Sequence, residues 1–202
     1  MTDDRTTLAR RASSARLIIG LSILTGAVLL GWEVAYDLSG LGFAHAGDAW
    51  NAADVLDGVV GFAAAVALAT WTAALVRVAH EGGAGADGAL TPAASGWIVF
   101  LFPLTLHLPY LLFRRAARAV RAPRLGRLAA WTYAAHAVSL ATLGVTFHVF
   151  GAYEAVGPAP LARAALTSVS WTVILMPLAL EILLVVRFSR AALSFRLEDA
   201  FD

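Results

Sequence analysis

The 202-residue chain contains no cysteine and no lysine. Without cysteine it has no disulfide, no iron–sulfur cluster and no thiolate metal site. Without lysine it lacks the amine needed for retinal or pyridoxal Schiff bases and for lysine nucleophiles. All 15 basic residues are therefore arginine. Charge of either sign is scarce: 14% of residues are charged, against about 25% in soluble domains. Apolar residues take up the difference, 59% of the chain, with a mean hydropathy of +0.73. Several apolar runs reach the ~20 residues that a helix needs to cross ~30 Å of hydrocarbon. The runs are continuous and show no two-residue alternation, which argues for helices over a barrel. The expected fold class is all-α, a polytopic helical membrane bundle in one domain over residues 1–202. The abundance of alanine, arginine and glycine points to a GC-rich bacterial genome.

Four runs read as spans, at about residues 15–36, 53–78, 128–150 and 162–187. The first is preceded by arginines, like a signal peptide. The small-residue site Ala44-His45-Ala46 lies too far beyond its apolar core, however, so the run reads as a retained span. Trp32 and Tyr36 mark its far interface. In the second span Gly61, Ala65, Ala69 and Ala73 recur every fourth residue. Such a stripe of small side chains lets a neighbouring helix approach closely.

Residues 95–113 decide the topology. They are apolar but carry Pro103 and Pro109, each lacking a backbone donor. If they cross the membrane there are five spans, and the arginines divide nine to six between the two sides. If they form a re-entrant hairpin reaching roughly mid-bilayer, both termini lie on one side, and fourteen of fifteen arginines lie there with them. An excess of arginine on the cytoplasmic side normally sets orientation. The expectation is thus four spans around a proline-broken hairpin, in a bacterial inner membrane, with both termini cytoplasmic; five spans is the alternative.

Beyond the hairpin come Arg114, Arg115, Arg118, Arg121, Arg124 and Arg127. Their spacing predicts one short basic helix on the membrane surface, contacting the headgroups of anionic lipids. The run adjoins the bilayer and lacks interleaved aromatics, so nucleic acid is not an expected partner.

Trp71, Arg77, His80, a Gly-rich linker, Gly96-Trp97, Pro103 and Pro109-Tyr110 together resemble an uncharacterised family of bacterial multi-helix membrane proteins. The resemblance implies the architecture and no activity.

Ionisable side chains inside spans are costly and stand as functional candidates by default. His136 lies about 12 Å into its span and Glu181 about 9 Å from the end of its own, at ~1.5 Å per residue. With four spans both depths are measured from the same face, and His107 in the hairpin reaches the same level. The three form a candidate proton or cation site; the competing reading is a buried histidine–glutamate pair serving helix packing. His107 with His136 also offers an axial pair for a b-type haem. On the other side, His45, Asp48, Asp54 and Asp57 have spacings compatible with a divalent cation. Asp54 and Asp57 fit a helix N-terminus equally well. Ser95 reads as the N-cap of the helix that follows it. There is no metalloprotease helix, phosphate-binding loop or aspartyl pair. The first functional expectation is therefore a non-enzymatic structural or accessory component that packs against membrane partners or itself. The alternative is a small channel or transporter built on His107, His136 and Glu181.

Overall fold

The computed structural model describes residues 2–39, 47–80, 91–102, 104, 107–154 and 160–198. Among these residues there are six helices and no strand: α1 Thr2–Ser39, α2 Gly47–Ala79, α3 Pro92–Phe100, α4 Leu108–Ala119, α5 Arg124–Glu154 and α6 Pro160–Glu198. The four long ones are apolar and extended enough to cross a membrane.

Polar contacts between helices fix their register. Asp4 of α1 meets Arg77 of α2 at 3.4 Å, and Thr25 donates to Asp57 at 2.6 Å, so α1 and α2 run antiparallel. Thr167 of α6 donates to Asp37 of α1 at 2.8 Å, and Trp71 of α2 donates to Ser189 of α6 at 2.9 Å. Helix α6 therefore runs against α1 and alongside α2. The crossing of α1 and α6 is tight at Gly26, where an added Cβ would stand 2.8 Å from Leu175.

The bundle is closed by α3 and α4, which pack on α2 and α5 respectively. Helix α3 runs against α2: Gly96 lies over Ala69 and Ala73, and Phe100 meets Phe62 with ring centroids 5.8 Å apart. Helix α4 then returns, so that Phe113 stacks on Trp71 at 5.8 Å and its end leads into Arg124 at the same end of the bundle. The segment thus enters and leaves on one side. Neither helix spans alone, since nine and twelve residues make only about 14 and 18 Å. Pro109 is buried in the first turn of α4, where its missing donor costs nothing; Pro103 lies outside the described residues. The small-residue stripe of α2 faces this hairpin, as its spacing predicts. An added Cβ at Gly96 would meet the Ala69 carbonyl oxygen at 3.0 Å, backbone that cannot move aside. Gly96→Val is accordingly expected to push α3 off α2 and destabilise the protein by about 1–3 kcal/mol, measured as a lower melting temperature in detergent.

Two expectations are corrected. Ser95 is not the N-cap: Thr91 accepts from the Ala94 amide at 3.2 Å, Pro92 follows it, and Ser95 is buried inside α3 with its hydroxyl on the Thr91 carbonyl. The sequence Thr-Pro sets the helix start one turn earlier. Nor do the six arginines form one helix. Arg114, Arg115 and Arg118 lie on α4, Arg124 and Arg127 on α5, and Arg121 sits between them with φ of +50°. The Arg121 amide bonds Arg118 and the Ala122 amide bonds Ala117, the paired closure of a Schellman motif with arginine where glycine is usual. All six side chains remain exposed.

The hydrophobic core lies mostly at the arginine-bearing end. Leu8, Ala12 and Ala15 of α1, Ala67, Leu68, Trp71, Ala74, Leu75, Val76 and Val78 of α2, the inner face of α4, and Leu184, Val185 and Phe188 of α6 belong to one cluster. Here α2 is buried almost all round, as an all-apolar helix at a bundle centre must be. At the opposite end Leu24, Val28, Val59, Val138, Val145 and Val169 point outward, as lipid-facing side chains do.

Candidate functional site

The hairpin tip roofs a cavity of about 180 Å³, whose wall includes Ser22 of α1, Gly61 and Ala65 of α2, Phe102, Tyr133 and His136 of α5, and Glu181 of α6. His136 Nε2 lies 3.1 Å from Glu181 Oε1, so two of the three residues expected to form a site are brought together. Glu181 is buried. It follows Pro177, which is buried inside α6 and removes the amide that would bond the Val173 carbonyl.

The other ring nitrogen fixes the proton count. His136 Nδ1 lies 2.9 Å from the Thr132 carbonyl oxygen. A carbonyl only accepts, so Nδ1 carries a hydrogen. The bond between Nε2 and Glu181 then holds a single proton, on the ring (imidazolium with carboxylate) or on the acid (neutral imidazole with carboxylic acid). Removing it sets a lone pair against a carboxylate and breaks the contact. The imidazole is held in place by aromatic rings, Phe102 edge-on at 5.0 Å and Tyr133 stacked at 5.8 Å.

His107 is placed differently. It stands at the head of α4, exposed and making no capping bond through its side chain, outside the cavity lining. A haem iron on His136 would have to displace either Glu181 or the Thr132 carbonyl, since both ring nitrogens are engaged. Among the outer residues, Asp57 accepts from Thr25, His45 lies outside the described residues, and so do the side chains of Asp48 and Asp54. Among the described residues no group of three or more metal-ligating side chains is gathered.

Sequence reasoning missed several participants. Tyr133 precedes His136 by three residues, on one helical face, and that spacing was the available signal. Ser22 and Phe102 come from other elements and carry no local signal. The acids near the far end of α1 are also bound across helices: Asp37, 3% exposed, by Thr167, and Glu33 by the indole of Trp171. No family model matches the chain, and no curated protein or solved structure matches it either.

Proposed function

We propose that the protein is a small, non-enzymatic proton- or cation-handling membrane protein whose working site is the His136–Glu181 pair. The observation that carries this reading is the pair's position on a cavity wall. A cavity of about 180 Å³ has room for several water molecules at about 30 Å³ each, and its polar groups are Ser22, Tyr133 and the pair itself. A pair whose contact depends on one proton changes geometry when that proton is lost or gained, the property a proton or cation site needs. The arginine distribution supports a bacterial inner membrane with both termini in the cytoplasm.

The test is flux in proteoliposomes. Glu181→Gln can still donate to a neutral His136 through its amide, so the fold is kept while the transferable proton is lost. The expected result is pH-dependent flux in the parent protein and none in this variant, with unchanged melting. Equal flux in both would sink the assignment.

A second reading, a structural or accessory component that packs against a partner or another copy, is favoured by the satisfaction of both His136 nitrogens. On that reading there is no flux in either protein, and a membrane partner co-purifies.

A further inference from the structure

The helix registers bear on where the bilayer sits. Composition alone gives α2 a candidate span at Val55–Ala79. Contacts between Asp4 and Arg77 and between Thr25 and Asp57 set residues 67–78 of α2 level with about residues 4–15 of α1. That part of α1 is polar, with Arg10, Arg11, Ser13 and Ser14 exposed and Arg16 exposed beside it. A bilayer around residues 55–79 of α2 would immerse those arginines in hydrocarbon. An arginine stays charged there, at ~2.5–3.5 kcal/mol each on insertion scales.

We propose that the lipid boundary instead crosses the bundle near Arg16, Val66 and Arg187, leaving the arginine-bearing end as a water-facing headpiece whose α3–α4 tip dips into an anionic leaflet. From Arg16 outward, residues 17–36 of α1 supply about 30 Å of apolar helix, a full hydrocarbon thickness. The paired stretch of α6 runs back from Arg187 toward Thr167. Trp97, 61% exposed, and Trp131, 71% exposed, then fall at the boundary, where tryptophan concentrates. Residues 67–76 of α2 are largely apolar because they form the centre of the headpiece core, not because they meet lipid. The tip passes the boundary by roughly 6–9 Å, judged from Phe62 and Glu181 at ~1.5 Å per residue. Leu104 there is 83% exposed and Leu101 and Leu108 are also exposed, an apolar tip directly below the six exposed arginines. That pairing of apolar insertion with basic charge is complementary to acyl chains beneath anionic headgroups. The placement also sets Asp57 within the bilayer, where it accepts from the Thr25 hydroxyl.

The cysteine-free sequence makes the test direct. Single nitroxide labels at Ser14→Cys, Ala93→Cys, Val59→Cys and Leu104→Cys, in nanodiscs of phosphatidylcholine and phosphatidylglycerol, are read by collision with oxygen and with a water-soluble nickel chelate. Ser14 and Ala93 are expected to favour nickel and Val59 oxygen, with Leu104 shallow on the oxygen side. An Ala93 label as oxygen-dominated as Val59, or a Leu104 label fully in water, overturns the boundary. Spin-labelled phosphatidylglycerol should be preferred over phosphatidylcholine at the protein surface by about fivefold, the preference falling toward unity in the triple variant Arg114→Gln, Arg115→Gln, Arg118→Gln. Equal association of both lipids with the parent protein overturns the anionic-leaflet contact.

Discussion

Trp71→Ala is expected to destabilise the protein by about 3–5 kcal/mol, the usual cost of truncating a buried tryptophan. Trp71 is 0% exposed and sits where four helices meet. Its indole donates to Ser189 of α6 at 2.9 Å and stacks on Phe113 of α4. Phe113 in turn stacks on Tyr133 of α5 at 6.0 Å and meets Phe188 of α6 edge-on at 5.4 Å. Removing the indole opens a cavity under the hairpin and frees the Ser189 hydroxyl at once. Trp71→Phe separates these effects, keeping most of the stack and losing about 1 kcal/mol for the hydrogen bond. Unfolding in mixed micelles measures both. A loss below about 1 kcal/mol for the alanine variant would mean that the arginine-bearing end is loosely packed, against the core described above.

Much of this was legible in the chain because bilayers impose simple rules. Span length and the one-sided arginines are one-dimensional signals, and they gave four crossing helices and a segment that turns back. The pairing of His136 with Glu181 was legible for the same reason, since depth in a helix is counted in residues. The levels of α2 were not. Residues 67–76 are largely apolar whether they meet lipid or other helices, and composition cannot separate the two. Only contacts such as Asp4 with Arg77, far apart in sequence, reveal their neighbours. The arginine run misled in another way. Its three-residue spacing mimics a helix face, but Pro123 lies two residues after Arg121, and the chain turns there with a left-handed residue. His107 shows the limit of depth counting across a proline-broken stretch, where residues no longer advance by a fixed rise.

Glu181→Ala carries the second large effect, about 1–3 kcal/mol of destabilisation, because it strips a buried polar group of its partner. The loss has a specific origin. His136 keeps its bond to the Thr132 carbonyl, so the ring cannot turn to seek another partner without giving that bond up, and Phe102 and Tyr133 pack against it. Nε2 is then left facing the cavity. Glu181→Gln, which supplies an amide donor of the same shape, is expected to lie within about 1 kcal/mol of the parent. The contrast between these two variants separates the hydrogen bond from the charge. A double-mutant cycle with His136→Ala measures the coupling, expected at about 1–3 kcal/mol for residues in direct contact. If the two single losses simply add, the residues do not act as a unit, and the proton-linked site loses its physical basis. If coupling is large in the alanine cycle and flux is abolished in the glutamine variant, the same contact holds α5 to α6 and carries the proton. Packing and function would then share one bond, which is why a change in its protonation would be felt by the helices on both sides of the cavity.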